Sequence, residues 1–375
     1  MMVSMQRNAE QVRIADTTLR DEHLVAADPR LVTTRTLRDI WRSNPLSVET
    51  RRKLAQQLSA LHVDVLEAGI GDTAAGLDAI RELAQELSEG GPVVSGLVRA
   101  LADHAMLDTT GQALAIADRS RIHLYTATSD LLDEDGYFRS QPLQLLDAAL
   151  RNIAHAHTYT ADVEFSPPQV GPEHVELIAE WAAAAVNEGA RTINIRTFSA
   201  ATNPSEYGEI LQALKSHAPS DDVVWSGDVF IPHLRGTEAL NVAVRCAEEA
   251  IEAGCRQIKC AMHGIAGTPG HVPLELIAFG IWLRNHTQTS QLWTSIYMHE
   301  LISTSDLVAD AKGTDIPPTQ PLVGSDVIEP KRDQFPAEPK ERVESARAHS
   351  LVLICLGQPI PQWLHEWASE PDIDT

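Results

Sequence analysis

The chain has 375 residues, 43% apolar and 22% charged, a balance that excludes wholesale disorder. Its formal charge of −22 excludes non-specific binding to nucleic acid or to an anionic membrane, since both need a positive surface. The 4 cysteines form no CxxC pair and no apolar run has the length of a membrane span, so a cytoplasmic protein with reduced thiols is expected.

Short β-branched segments alternate with amphipathic ones along most of the chain. Strands are expected at 12–16, 63–67, 93–97, 121–126, 162–166, 191–195, 223–231 and 256–261. Helices are expected at 47–60, 74–88, 141–156, 172–188, 204–217, 238–253 and 273–285. Two of these run into glycine directly before a strand, at Glu188-Gly189 and at Ala253-Gly254, the expected helix C-cap. Eight such units predict an α/β fold, a (β/α)8 TIM barrel over residues 1–285. An open, doubly wound sheet is the alternative, but it wants a Gly-rich loop after the first strand, and none is present. Residues 22–46 form a long polar insert at the catalytic rim, and loops of that length are usually functional. Residues 286–375 are expected to form a C-terminal helical subdomain, with helical pieces at 292–311, 340–356 and 360–368 and a Pro-rich linker at 316–340.

The first strand ends in Asp16-Thr17-Thr18-Leu19-Arg20-Asp21, which delivers a guanidinium and a carboxylate to the C-terminal rim. This run resembles the opening motif of the DRE-TIM metallolyase superfamily, which contains isopropylmalate, citramalate and homocitrate synthases. The resemblance continues through Val63-Asp-Val-Leu-Glu67, Gly96-Leu-Val-Arg99, Arg121-Ile-His123, Val163-Glu164-Phe-Ser166, Thr192-Ile-Asn194 and the run from Ala253 to Ile265. It implies that Arg20 polarises a 2-oxo acid and that Asp21 binds a divalent metal. It also implies an acyl-CoA co-substrate, a small anionic 2-oxo acid as partner and a homodimer. Glu67, Arg99, Glu164, Ser166, Arg196 and Thr197 are then candidates for substrate binding.

Departures from the family fall on its chemistry. Its seventh strand ends His-x-His, whereas this chain reads Ile231-Pro-His233-Leu-Arg235. Its sixth ends Pro-Asp-Thr-Val-Gly, whereas this chain has Arg196-Thr197-Phe198. The subdomain's His-Glu-x-Gly-x-His motif is replaced by Val327-Ile-Glu-Pro-Lys-Arg332. Two readings of Asp21 follow. In one, Asp21 and His233 bind a divalent metal (Zn, Mn or Mg), helped by His263 or His271. In the other the site is metal-free and Arg235, a guanidinium that cannot ligate an ion, pairs with Asp21 and acts with Arg20 and Asp21 in catalysis. The expected activity is a Claisen-type condensation or lysis at a C–C bond next to a carbonyl. The alternative is a repurposed barrel that binds a small anion or a partner protein without turnover.

Overall fold

A computed structural model describes residues 10–20, 46–87, 89–131, 142–168, 174–197, 203–218, 222–231, 236–266 and 268–370. Eight parallel strands close into a barrel in chain order: β1 (Arg13–Asp16), β2 (Val65–Ile70), β3 (Val93–Arg99), β4 (Ser120–Tyr125), β5 (Val163–Ser166), β6 (Thr192–Arg196), β7 (Val224–Asp228) and β8 (Gln257–Cys260). β8 pairs back onto β1 with Lys259 beside Ala15, which closes the ring. The expected TIM barrel is therefore present. β7 stops at Asp228, three residues short of the expected end at Ile231.

Helices α1 (Val48–Ala60), α2 (Ala74–Glu86), α3 (His104–Leu114), α4 (Thr128–Leu131), α5 (Pro142–Ala156), α6 (Val175–Glu188), α7 (Pro204–His217), α8 (Gly236–Glu252) and α9 (Leu274–His286) lie between or after the strands. Their starts follow from local chemistry. Ser47, Thr73, Asp103 and Asn203 each accept a backbone N–H of the first turn, as N-cap residues do. Gly189 ends α6 at φ 111°, and Gly254 turns the chain into β8 at φ 90°; both positive angles favour glycine. At Gly76 the backbone of α2 lies so close to β2 that a Cβ would stand 1.9 Å from the Ile70 carbonyl oxygen.

The chain divides into two compact units, Met1–Ser295 and Ile296–Thr375. Residues 292–297, expected to be helical, are extended instead. Val12 donates to the Trp293 carbonyl at 2.8 Å and Trp293 to that of Glu10 at 3.1 Å, so strand-type pairing outcompetes the helix. The second unit contains α10 (Leu301–Lys312), α11 (Ser325–Ile328), α12 (Pro339–Cys355) and α13 (Gln362–Ala368). Its core gathers Ala346, Leu353 and Leu364 with Phe335, Trp363 and Trp367. Trp282 and Trp293 belong to the barrel unit and not to this cluster.

The barrel interior is where this fold departs from its usual filling of branched aliphatic side chains. Glu67, Arg121, His123, Glu164, Asn194, Gln257 and Lys259 are all buried. Buried ionisable groups are rare unless paired, so this interior is the informative part of the molecule.

Candidate active site

The site begins with the turn after β1. Asp16 is buried and accepts from the Thr18 backbone N–H at 3.0 Å and from the Thr18 hydroxyl at 2.8 Å. Thr18 Oγ1 in turn accepts from the Met262 N–H at 3.1 Å, tying the turn to the segment after β8. This bracing carries the chain back over the barrel, so that Arg20, only 1% exposed, reaches inward and donates to Glu67 Oε2.

Glu67 joins two further groups. His123 Nδ1 lies 3.0 Å from Glu67 Oε1, and the Lys259 ammonium contacts the same oxygen. Lys259 Nζ also lies 2.7 Å from Glu164 Oε1 and 3.1 Å from His123 Nδ1. On its other side, His123 Nε2 stands 2.8 Å from Ser166 Oγ, which accepts from Asn194 Nδ2 at 2.9 Å. Arg121 completes the inner layer: its Nη1 donates to Glu164 Oε2 at 2.7 Å and to Gln257 Oε1 at 2.8 Å, and its Nε to Asp162 Oδ1 at 3.0 Å.

Burial alone would raise the Glu67 and Glu164 carboxyls, but the neighbouring cations outweigh it. Arg20 and Lys259 hold Glu67 well below the usual carboxylate range. Lys259 foremost, with His123 and Arg121, brings Glu164 down to about 2. Asp228 at the end of β7 behaves alike: Arg196, its ion-pair partner with Oδ2 to Nε at 3.3 Å, together with Arg20 and Lys259 outweighs burial and lowers it to about 2. The Arg196 guanidinium also lies over the Phe230 ring, 5.2 Å from its centre, and Phe230 packs on His271 at 4.7 Å.

Comparison with known proteins agrees with this architecture. The HMGL-like family pattern matches residues 11–308. The chain belongs to the HMGL-like family. It is 33% identical over 322 residues to a 2-isopropylmalate synthase of Pseudoalteromonas atlantica, covering 85% of this chain and 56% of that protein. A second 2-isopropylmalate synthase, from Trichormus variabilis, is 30% identical over 336 residues, covering 86% and 58%. The chain thus spans little more than half the length of these relatives. An HMG-CoA lyase of Acinetobacter baumannii, solved with coenzyme A and 3-methylmalate, shares the fold at TM-score 0.58 and 14% identity, covering 90% of this chain and 100% of that one.

Members of this superfamily use a divalent metal. Glu67, His123 and Glu164 offer ligand atoms within 4.8 Å of one another, a spacing that suits such an ion. The Lys259 ammonium, however, contacts all three, so the group as folded does not fit a divalent ion between them.

The remaining predicted site residues are distributed as follows. Arg20, Glu67, Glu164 and Ser166 come together with His123 and Lys259 in this HMGL-like barrel. Arg196 stands apart with Asp228. Arg99 at the end of β3 pairs with Asp130 of α4, its side chain 40% exposed. Thr197 spends its hydroxyl on the backbone of Phe230, donating to the carbonyl at 3.0 Å and accepting from the N–H at 3.1 Å. His271 is buried against Phe230, and His263, at φ 58°, donates its backbone N–H to Glu275. Asp21, residues 22–45 of the insert, His233 and Arg235 lie outside the described residues.

The sequence candidates omit Arg121, Asp162, Asn194 and Gln257 of the inner layer, and three further residues of the site: His123, Lys259 and Asp228. Each sits two positions from another inward residue on its strand, at Arg121, Gln257 and Ser226. That period-2 placement was the available signal. Lys259 was obscured by a basic residue's usual surface role. Asp228 was obscured by placing the strand end at Ile231.

Proposed function

We propose that this protein forms or cleaves a C–C bond next to a carbonyl, with a small 2-oxo acid as acceptor and an acyl-CoA as donor. The observation that carries this reading is the fixed position of Arg20, buried at the β1 rim and braced by Glu67 in a family of synthases and lyases. In the condensing direction, the acyl-CoA loses a proton from the carbon next to its thioester. That carbon then bonds to the 2-oxo carbon, and the oxo oxygen becomes an alkoxide. Arg20 binds the oxo acid and stabilises the alkoxide as it forms. His123, between Glu67 and Ser166, is the group placed to move a proton. Water then hydrolyses the thioester and releases the coenzyme A thiol.

Arg196 at the end of β6 supplies a second cation near the mouth, which favours a substrate with an additional anionic group. The reaction runs without a divalent ion in the inner cluster. The 4 cysteines are buried and unpaired, which fits a reducing, cytoplasmic setting. Among the described residues, no helix is long and apolar enough to cross a membrane. A homodimer is part of the proposal by family likeness.

A second reading, ligand binding without turnover, is favoured by the closed pairing of the interior, in which each carboxylate already has a cation. The test is a thiol-release assay with acetyl-CoA and longer acyl-CoAs over a panel of 2-oxo acids. Turnover that disappears in Arg20→Ala supports the enzyme. Saturable oxo-acid binding with no thiol released supports the second reading.

A further inference from the structure

The inner cluster is charge-balanced by its own side chains. Glu67, Glu164 and Asp162 face Arg20, Arg121 and Lys259, three carboxylates against three cations. Lys259 is fully buried on β8, and its backbone is fixed by pairing to Ala15 on one side and Asp228 on the other. Its ammonium touches Glu67 Oε1, Glu164 Oε1 and His123 Nδ1, one atom on each of the three residues whose ligand atoms lie within 4.8 Å of one another.

We propose that the Lys259 ammonium is the resident cation of the Glu67–His123–Glu164 group, standing where a divalent ion would otherwise bind. The inference deepens the metal-free part of the functional reading and rests on it only there. An ion at the centre of those three atoms would overlap the ammonium and meet its charge at close range, where repulsion in a buried site is strong. The ammonium donates to Glu67 Oε1, pairs by charge with Glu164 Oε1 at 2.7 Å and lies 3.1 Å from His123 Nδ1. The geometry also gives Lys259 a positioning role. By holding Glu67 Oε1 it leaves Glu67 Oε2 to Arg20, so the lysine sets the plane in which Arg20 meets a substrate.

The test is equilibrium dialysis of the full chain against Mn²⁺ and, separately, Zn²⁺, with bound metal counted by elemental analysis. It needs no substrate, so its outcome is independent of whether turnover is found. Wild type and Glu164→Gln are expected to bind the same number of equivalents, because no ion depends on Glu164. Lys259→Ala is expected to gain one equivalent over wild type, and the double variant with Glu164→Gln to lose it again. An equivalent present in wild type and missing in Glu164→Gln would overturn the proposal. So would a folded Lys259→Ala protein that gains nothing. Should Lys259→Ala fail to fold, the comparison of wild type with Glu164→Gln still decides.

Discussion

Lys259 Nζ lies 2.7 Å from Glu164 Oε1, both groups fully enclosed in the barrel. Two isolated charges at that depth would each carry a large desolvation cost, so each residue is tolerable only because of the other. Lys259→Met is therefore expected to leave Glu67 and Glu164 as close, under-compensated carboxylates. Its cost should be about 3–5 kcal/mol in urea unfolding. Adding Glu164→Gln should recover part of that loss, because the remaining charge at Glu67 keeps Arg20. Strict additivity of the two losses would show that the pair does not interact.

Acid stability follows from the same carboxylates. Glu164 and Asp228 are lowered to about 2, so each binds its proton less readily folded than unfolded. The stability they contribute is complete above the ordinary carboxylate range and is lost as pH falls through it towards about 2. For Glu164 the shift corresponds to something on the order of 3 kcal/mol. Thermal melts between pH 7 and pH 2 should fall steeply below about pH 4. A Glu164→Gln variant should show a shallower fall; an unchanged slope would contradict the assignment.

Arg196 and Asp228 form an ion pair at the ends of β6 and β7. Arg196→Ala removes the foremost of the cations that together outweigh burial at Asp228, so that carboxyl should titrate higher. Stability should drop by about 1–3 kcal/mol, and affinity for anionic 2-oxo acids about tenfold or more. Calorimetric titration of the variant against wild type reads the affinity, and urea unfolding reads the stability. Equal affinity would place the substrate away from β6.

The tight seat of α2 on β2 gives a test of the scaffold. A Cβ at Gly76 would stand 1.9 Å from the Ile70 carbonyl oxygen, a backbone atom that cannot swing aside. Gly76→Ala should therefore cost at least about 2 kcal/mol despite alanine's better helix propensity. A neutral or stabilising result would mean that the helix can slide.

Much of the barrel is legible from the chain because its strands are buried on both faces and its helices carry caps at their starts. All six residues of β2 are buried, and Asp103 accepts the Met106 N–H at 3.1 Å at the start of α3. The Asp16–Arg20 turn announces the rim because its side chains serve its own backbone. The inner cluster is less legible. Lys259 and Asp228 acquire their meaning from partners 192 and 32 residues away, at Glu67 and Arg196, and only closure of the barrel brings those together. Local pattern also misleads at Trp293, where a helical period loses to backbone pairing with Glu10 and Val12.

The most direct test of the account is transfer of label from fully ¹³C-labelled acetyl-CoA, run over the 2-oxo acid panel and followed by mass spectrometry. The account predicts a product that carries both labelled carbons bonded to the oxo-acid skeleton, with formation abolished in Arg20→Ala. Labelled product formed equally by Arg20→Ala, or oxo-acid binding with no labelled product from any member of the panel, would contradict it.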